Sequence, residues 1–93
     1  MRVVRISEAV AVVLDDIAAA RCVYEHRYPR EFGAHFVEVL TGGSWVTVAD
    51  WPVVSPTWGD ADAVKARYAE AYQAAEVEAQ VAFGLLLAAM EKD

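Results

Sequence analysis

From position 60 to position 91 the chain runs for thirty-two residues with no proline and a single glycine, Gly84. Val64, Tyr68, Ala71, Tyr72, Ala75, Ala79, Ala82, Phe83, Leu86 and Met90 recur there at the three- and four-residue spacing of one helical face. A helix of that length spans about 48 Å, whereas a compact chain of this size is only roughly 30 Å across. The helix must therefore break, with Gly84 as the weak point, or carry about 15 Å beyond the domain. The segment expected to project is 81–90, which is apolar on every side. A helix that is apolar all round has to be buried by something. Val81, Phe83, Leu85, Leu86, Leu87 and Met90 are therefore expected to meet a second copy of the chain or another protein.

Ninety-three residues make one domain, 1–93, with a modest core. The apolar share is 57%, above the usual range for globular chains. Much of the excess is alanine, which adds helix propensity more than core volume. The net charge of −6 is uneven: residues 1–33 carry five Arg against five acids, and residues 34–93 three basic residues against nine acids. Direct nucleic-acid binding needs a basic surface and is not expected. Asp62, Glu70, Glu76 and Glu78 fall mostly off the apolar stripe of the helix and form a candidate acidic face.

Before the long helix, two runs rich in β-branched residues, 34–40 and 44–50, flank Gly42 and Gly43. A Gly-Gly pair suits the positive φ angles of a two-residue hairpin turn. With Thr41 opposite Ser44, Leu40 meets Trp45, Val39 meets Val46, Glu38 meets Thr47, Val37 meets Val48 and His35 meets Asp50. The valine face belongs against helix. The other face carries Phe36, Leu40 and Trp45, followed by Trp51, and is a candidate partner-binding surface.

At the N-terminal end, Val10, Val13, Leu14, Ile17 and Ala20 fall at helical spacing after Ser7, a residue suited to cap a helix. An N-terminal helix is the expectation, with Val3, Val4 and Ile6 as a short third strand or a staple. Cys22, Tyr24, His26 and Tyr28 also alternate, so 22–28 reads as strand too. Pro29 ends whatever precedes it. The expected fold is α+β in the order α-β-β-α. Thr57, three residues before Asp60, is a candidate cap for the final helix.

Chemistry is sparse. His35 facing Asp50 is the most concrete pair, since a carboxylate can orient an imidazole as a base. No third group has a predictable place beside them, and neither paired CxxC nor HExxH spacing occurs. No catalytic residue, cofactor or metal is expected. Cys22 is the single cysteine and reads as a small core residue in an intracellular, cytoplasmic protein. The run 9–14 loosely imitates a secretory h-region, but Glu8, Asp15 and Asp16 interrupt it and it reads as folded chain. Ten apolar residues at 81–90 are too few to span a bilayer. The loop 27–32 mixes Arg with aromatic residues, a composition common at interfaces.

These features point to a non-enzymatic protein-binding module, expected as a homodimer with a further protein or complex as partner. In size, charge and architecture the chain resembles small acidic phage and mobile-element proteins, among them anti-CRISPR proteins. That resemblance implies an inhibitor that occupies a nucleic-acid-binding surface of a host complex. A structural subunit of a larger assembly such as a phage particle, or a small-ligand binder or enzyme using His35 and Asp50, are the alternatives.

Overall fold

The computed structural model describes residues 1–27, 32–55 and 57–92. Five strands precede one helix: β1 (Val3–Arg5), β2 (Ala11–Val13), β3 (Ile17–Glu25), β4 (Ala34–Thr41), β5 (Ser44–Pro52) and α1 (Ala61–Glu91). The order is β-β-β-β-β-α, so the expected α-β-β-α arrangement is wrong at its first element. Where an N-terminal helix was expected, the chain makes a small hairpin and the first strand of the main sheet. The reason lies in residue type. Val3, Val4, Ile6, Val10, Val12, Val13 and Ile17 are all β-branched, and such side chains fit a pleated surface better than a helix. The adjacent acids Asp15 and Asp16 form a turn in the middle of the expected helix, and Asp16 takes φ of 68°. Asp tolerates that left-handed conformation better than most residues.

β1 and β2 pair antiparallel with Val4 opposite Val12. Their turn is closed by Ile6 and Ser7 N–H groups that donate to the Val10 carbonyl at 3.0 and 3.4 Å. β3, β4 and β5 form a separate antiparallel meander with β4 in the centre. Gly42 and Gly43 connect β4 to β5 with φ of 59° and 79°, the primed-turn geometry that the Gly-Gly pair predicts. Leu40 meets Trp45, Val39 meets Val46 and Glu38 meets Thr47, as expected. Beyond these the register shifts: Val37 meets Ala49, Phe36 meets Asp50 and His35 meets Trp51. Val48 is the extra residue, a β-bulge that moves everything after it by one position.

α1 is continuous through Gly84. Asp60 is its N-cap, its carboxylate accepting from the Ala63 N–H at 2.9 Å, so the expected Thr57 cap is not used. At the other end the Arg2 guanidinium donates to the carbonyls of Ala89 and Lys92. The helix has no basic residue in its own last turn. Arg2, near the start of the chain, supplies the positive charge that the negative end of the helix dipole favours.

The helix lies along the sheet face made of Ala20, Cys22, Tyr24, His35, Val37 and Val39, with Ala49 and Trp51. Ala75, Ala79 and Ala82 are buried beneath it, and their short side chains let the backbone approach the sheet closely. Ile6 and Val12 of the small hairpin join Val37, Val39, Ala49, Ala82 and Leu86 in one core cluster. The choice between breaking and projecting is resolved in a third way. The molecule measures 52 × 23 × 18 Å, and the sheet and the small hairpin both pack under one continuous helix.

Candidate interaction surfaces

The bulge at Val48 separates His35 from Asp50. His35 now lies on the helix side of the sheet and Asp50 on the outer side, so the expected pair does not form. His35 is buried between Tyr24 and Tyr72, with ring centroids 5.0 and 4.7 Å away. Its Nε2 has no hydrogen-bond partner among the described residues. Tyr24 shares a hydrogen bond with Tyr68, and burial together with that bond pushes its phenol up to about 12. Gly33 lies directly under this ring, where a Cβ would collide with Tyr24. The cluster packs aromatic rings under the first half of α1.

The outer sheet face is built around Glu38, which is only 4% exposed. Arg21 Nε reaches Glu38 Oε1 at 2.8 Å, Arg27 Nη2 reaches Oε2 at 2.7 Å and the Thr47 hydroxyl donates to Oε2 at 3.2 Å. Arg27 also bonds Glu25 at 2.7 Å. Burial pushes the Glu38 carboxyl up, but the hydrogen bonds from Arg27 and Arg21 and the charge of Arg27 outweigh it and hold the group below its usual value. The two guanidinium planes extend the network onto rings: Arg21 lies 4.1 Å from the Trp45 ring centre and Arg27 3.8 Å from that of Phe36. Such stacking is favourable for a planar cation.

The expected partner-binding face of Phe36, Leu40, Trp45 and Trp51 is therefore divided. Phe36 is buried beneath Arg27, Leu40 is half-buried, and Trp45 stays partly exposed beneath Arg21. Trp51 stands on the opposite face, packed against the core cluster. The roles of Arg21 and Arg27 are hidden in the sequence because the helical spacing runs through Ala20 and 22–28 reads as either helix or strand, which leaves the pairing of Arg21 with Glu38 without a register. Of the loop 27–32, positions 28–31 lie outside the described residues.

The segment 81–90 divides too. Leu86 is fully buried, and Phe83 and Met90 pack partly against the core. Val81 and Leu85 remain 60% and 47% exposed and Leu87 is partly exposed. Sequence reading missed Val77, which is 59% exposed. At about 100° per residue, Ala74, Val77, Val81, Leu85 and Ala88 fall within about 80° of the helix circumference, on the side away from Leu86. Beside this strip lie three open grooves. In the first, Trp51, Pro52 and Val54 face Ala71 and Ala74; in the second, the 6–9 turn faces Val77 and Val81; in the third, Val3, Val4 and Leu14 face Leu85 and Ala88. Val77, Val81 and Leu85 are thus large apolar side chains left exposed along one line of the helix.

The four acids of the expected acidic face do not share one side. By the same helical geometry Glu70 lies in line with the apolar strip, one turn before Ala74, and Glu78 borders it, while Asp62 lies about a quarter-turn round the helix and Glu76 farther still. Glu76 is half-buried and, after burial itself, is the second influence that raises the Cys22 thiol. A raised thiol carries less of the reactive thiolate. Among the described residues, no group of three or more His, Cys, Asp and Glu side chains is placed to hold a metal ion. No helix among them is long and apolar enough to cross a membrane. No protein family, curated protein or solved structure matches the chain.

Proposed function

We propose that this chain is a non-enzymatic binding module that acts by presenting surface to another protein. The observation that carries the reading is the exposed strip Ala74, Val77, Val81, Leu85 and Ala88, with the open grooves beside it. The enzyme or ligand-binder reading rested on His35 and Asp50 and loses its geometry, since the two side chains stand on opposite faces of the sheet.

A narrower reading within this class is an anti-CRISPR-like inhibitor that occupies a basic, nucleic-acid-binding surface. The net charge of −6 and its concentration in residues 34–93 support it, because an acidic field attracts such a surface. Affinity capture from a cell lysate, followed by measuring how the captured complex binds nucleic acid when this protein is added, tests it. One defined complex is expected, with retention that falls as salt rises and with loss of nucleic-acid binding. Reversing Asp62 and Glu76 to Lys should weaken capture while leaving the apolar strip untouched. Recovery of nothing but the chain itself would remove the inhibitor reading and favour a structural subunit of a larger assembly.

A further inference from the structure

We infer that the free edge of β3 takes up an extended segment of another protein as a fourth, antiparallel strand, with a basic side chain of that segment opposite Cys22. This surface is distinct from the helix strip, so the two stand or fall separately. The ladder itself identifies the open groups. In a hairpin closed by two residues, the flanking pair exchanges both backbone hydrogen bonds, and here that pair is Thr41 and Ser44. Bonding direction alternates along a strand. β4 therefore turns Thr41, Val39 and Val37 to β5, and Leu40, Glu38, Phe36 and Ala34 to β3. The partners of the second set are Ala19, Arg21, Val23 and Glu25. The N–H and C=O groups of Ala20, Cys22 and Tyr24 are left pointing away from the sheet. Among the described residues, no hydrogen bond reaches these backbone groups.

Such a row of unpaired groups is a template for another strand, and the usual safeguards are bulges, proline and lysine. They stand on the other edge, where β5 carries the Val48 bulge and ends on Pro52. β3 holds its register unbroken from Ala19 to Glu25, with no proline or lysine in that run. Arg21 is drawn back over the sheet by Glu38 and does not guard the edge.

The helix side defines the chemistry of the guest. Trp51 and Pro52 face Ala71, Ala74 and Glu78, so that flank of α1 looks toward β5. Glu76 lies on the opposite flank, about 40° round the helix from Tyr72, whose ring meets that of Tyr24. Glu76 thus stands on the β3 side, and its charge is felt by the Cys22 thiol. It is half-buried and makes no hydrogen bond or ion pair among the described residues. A strand laid about 4.8 Å beyond β3 brings the side chain opposite Cys22 toward that carboxylate, and a Lys or Arg there completes the pair. The guest side chains two residues to either side fall beside Tyr24 and Ala20 and are apolar. The net charge of −6 draws a basic segment in. The same edge of a second copy fits badly, because a two-fold axis at Cys22 sets two Glu76 carboxylates together.

The probe is a blocked heptapeptide with lysine at its fourth position, valine at the second and sixth, and threonine elsewhere. A short peptide must be ordered as it binds, so a dissociation constant of about 0.1–1 mM is expected. At saturating peptide, hydrogen exchange should slow at the amides of Ala20, Cys22 and Tyr24. The amides of Arg21 and Val23, already bonded to β4, should not change. Methylating the peptide nitrogens of the lysine and the two valines should abolish binding. Glutamate in place of the lysine should weaken it about tenfold or more, and Glu76→Lys should reverse the preference between the two peptides. Circular dichroism would show that the Glu76→Lys fold persists. No binding at about 5 mM peptide, well above the expected constant, overturns the inference. So does binding that survives methylation, new protection on β5 instead of β3, or an unchanged preference in Glu76→Lys. Slow exchange of the three amides in the free protein, together with a doubled mass, assigns the edge to a second copy and also overturns it. In each of these cases the helix strip remains a binding surface.

Discussion

Glu38 shows how a single charged residue is kept on a sheet face that an apolar residue would otherwise fill. Its two oxygens are shared among Arg21, Arg27 and Thr47, so the cost of removing a carboxylate from water is offset by charge-assisted hydrogen bonds. Replacing Glu38 with Ala should destabilise the protein by about 2–3 kcal/mol, less than a fully buried pair would lose, because both arginines keep contact with water. The pH dependence has a definite sign. The folded-state carboxyl is held below its ordinary value, so the unfolded chain binds the proton more readily. This stabilisation is complete above the unfolded value of about 4.3 and is lost as pH falls through the lower folded value. Glu38→Gln should therefore lose less stability than the parent between about pH 5 and pH 3. Denaturant titrations at both ends of that window would measure it, and equal losses in the two proteins would show that Glu38 is not the group responsible.

Among the elements, α1 was the most legible and the N-terminal hairpin the least. Residues 60–91 announced themselves by length, by the absence of proline and by a sustained apolar stripe, and α1 spans Ala61–Glu91. The turn at Gly42 and Gly43 and the register next to it were equally plain. Val10, Val13, Leu14 and Ile17, by contrast, satisfy helical spacing, while Val4, Ile6, Val10 and Val12 also satisfy the two short strands with a turn between them. Only partnership with the far end of α1, seventy residues or more away, decides between the two, and local spacing holds no record of that partnership. The bulge was illegible for another reason, since Val48 is flanked by Thr47 and Ala49 with no glycine or proline to mark it. At this scale the N-cap carries a prediction. Asp60→Ala should cost about 1 kcal/mol and raise amide exchange in the first turn of α1 while leaving the last turns unchanged. Uniform exchange along the helix would show that the cap is not a local device.

The whole molecule is long because its supports are arranged in series. The three-stranded sheet carries the first two thirds of α1 and the small hairpin carries the last third, through Ile6, Val12 and Leu86. The two ends of the chain are thereby tied together, with Arg2 seated on the final carbonyls of α1. Ile6→Ala should cost about 2–4 kcal/mol. Its effect on hydrogen exchange should be polar, with amides 82–90 losing protection before amides 64–75. Simultaneous loss along the helix would mean that the sheet and the hairpin hold α1 as a single cooperative unit.

A strand that alternates its side chains has a phase, and Val48 inverts that phase partway along β5. Everything before it keeps the parity set by the Gly42–Gly43 turn, and everything after it takes the opposite parity. Trp51 is turned inward to the core by this half-period, and Asp50 outward. Both assignments follow from a count of residues, so exchanging side chains at 50 or 51 leaves the parity as it is. On this scaffold a change in chain length at one position, rather than a change of residue, separates a tryptophan-filled core from a sheet that sets a histidine against a carboxylate.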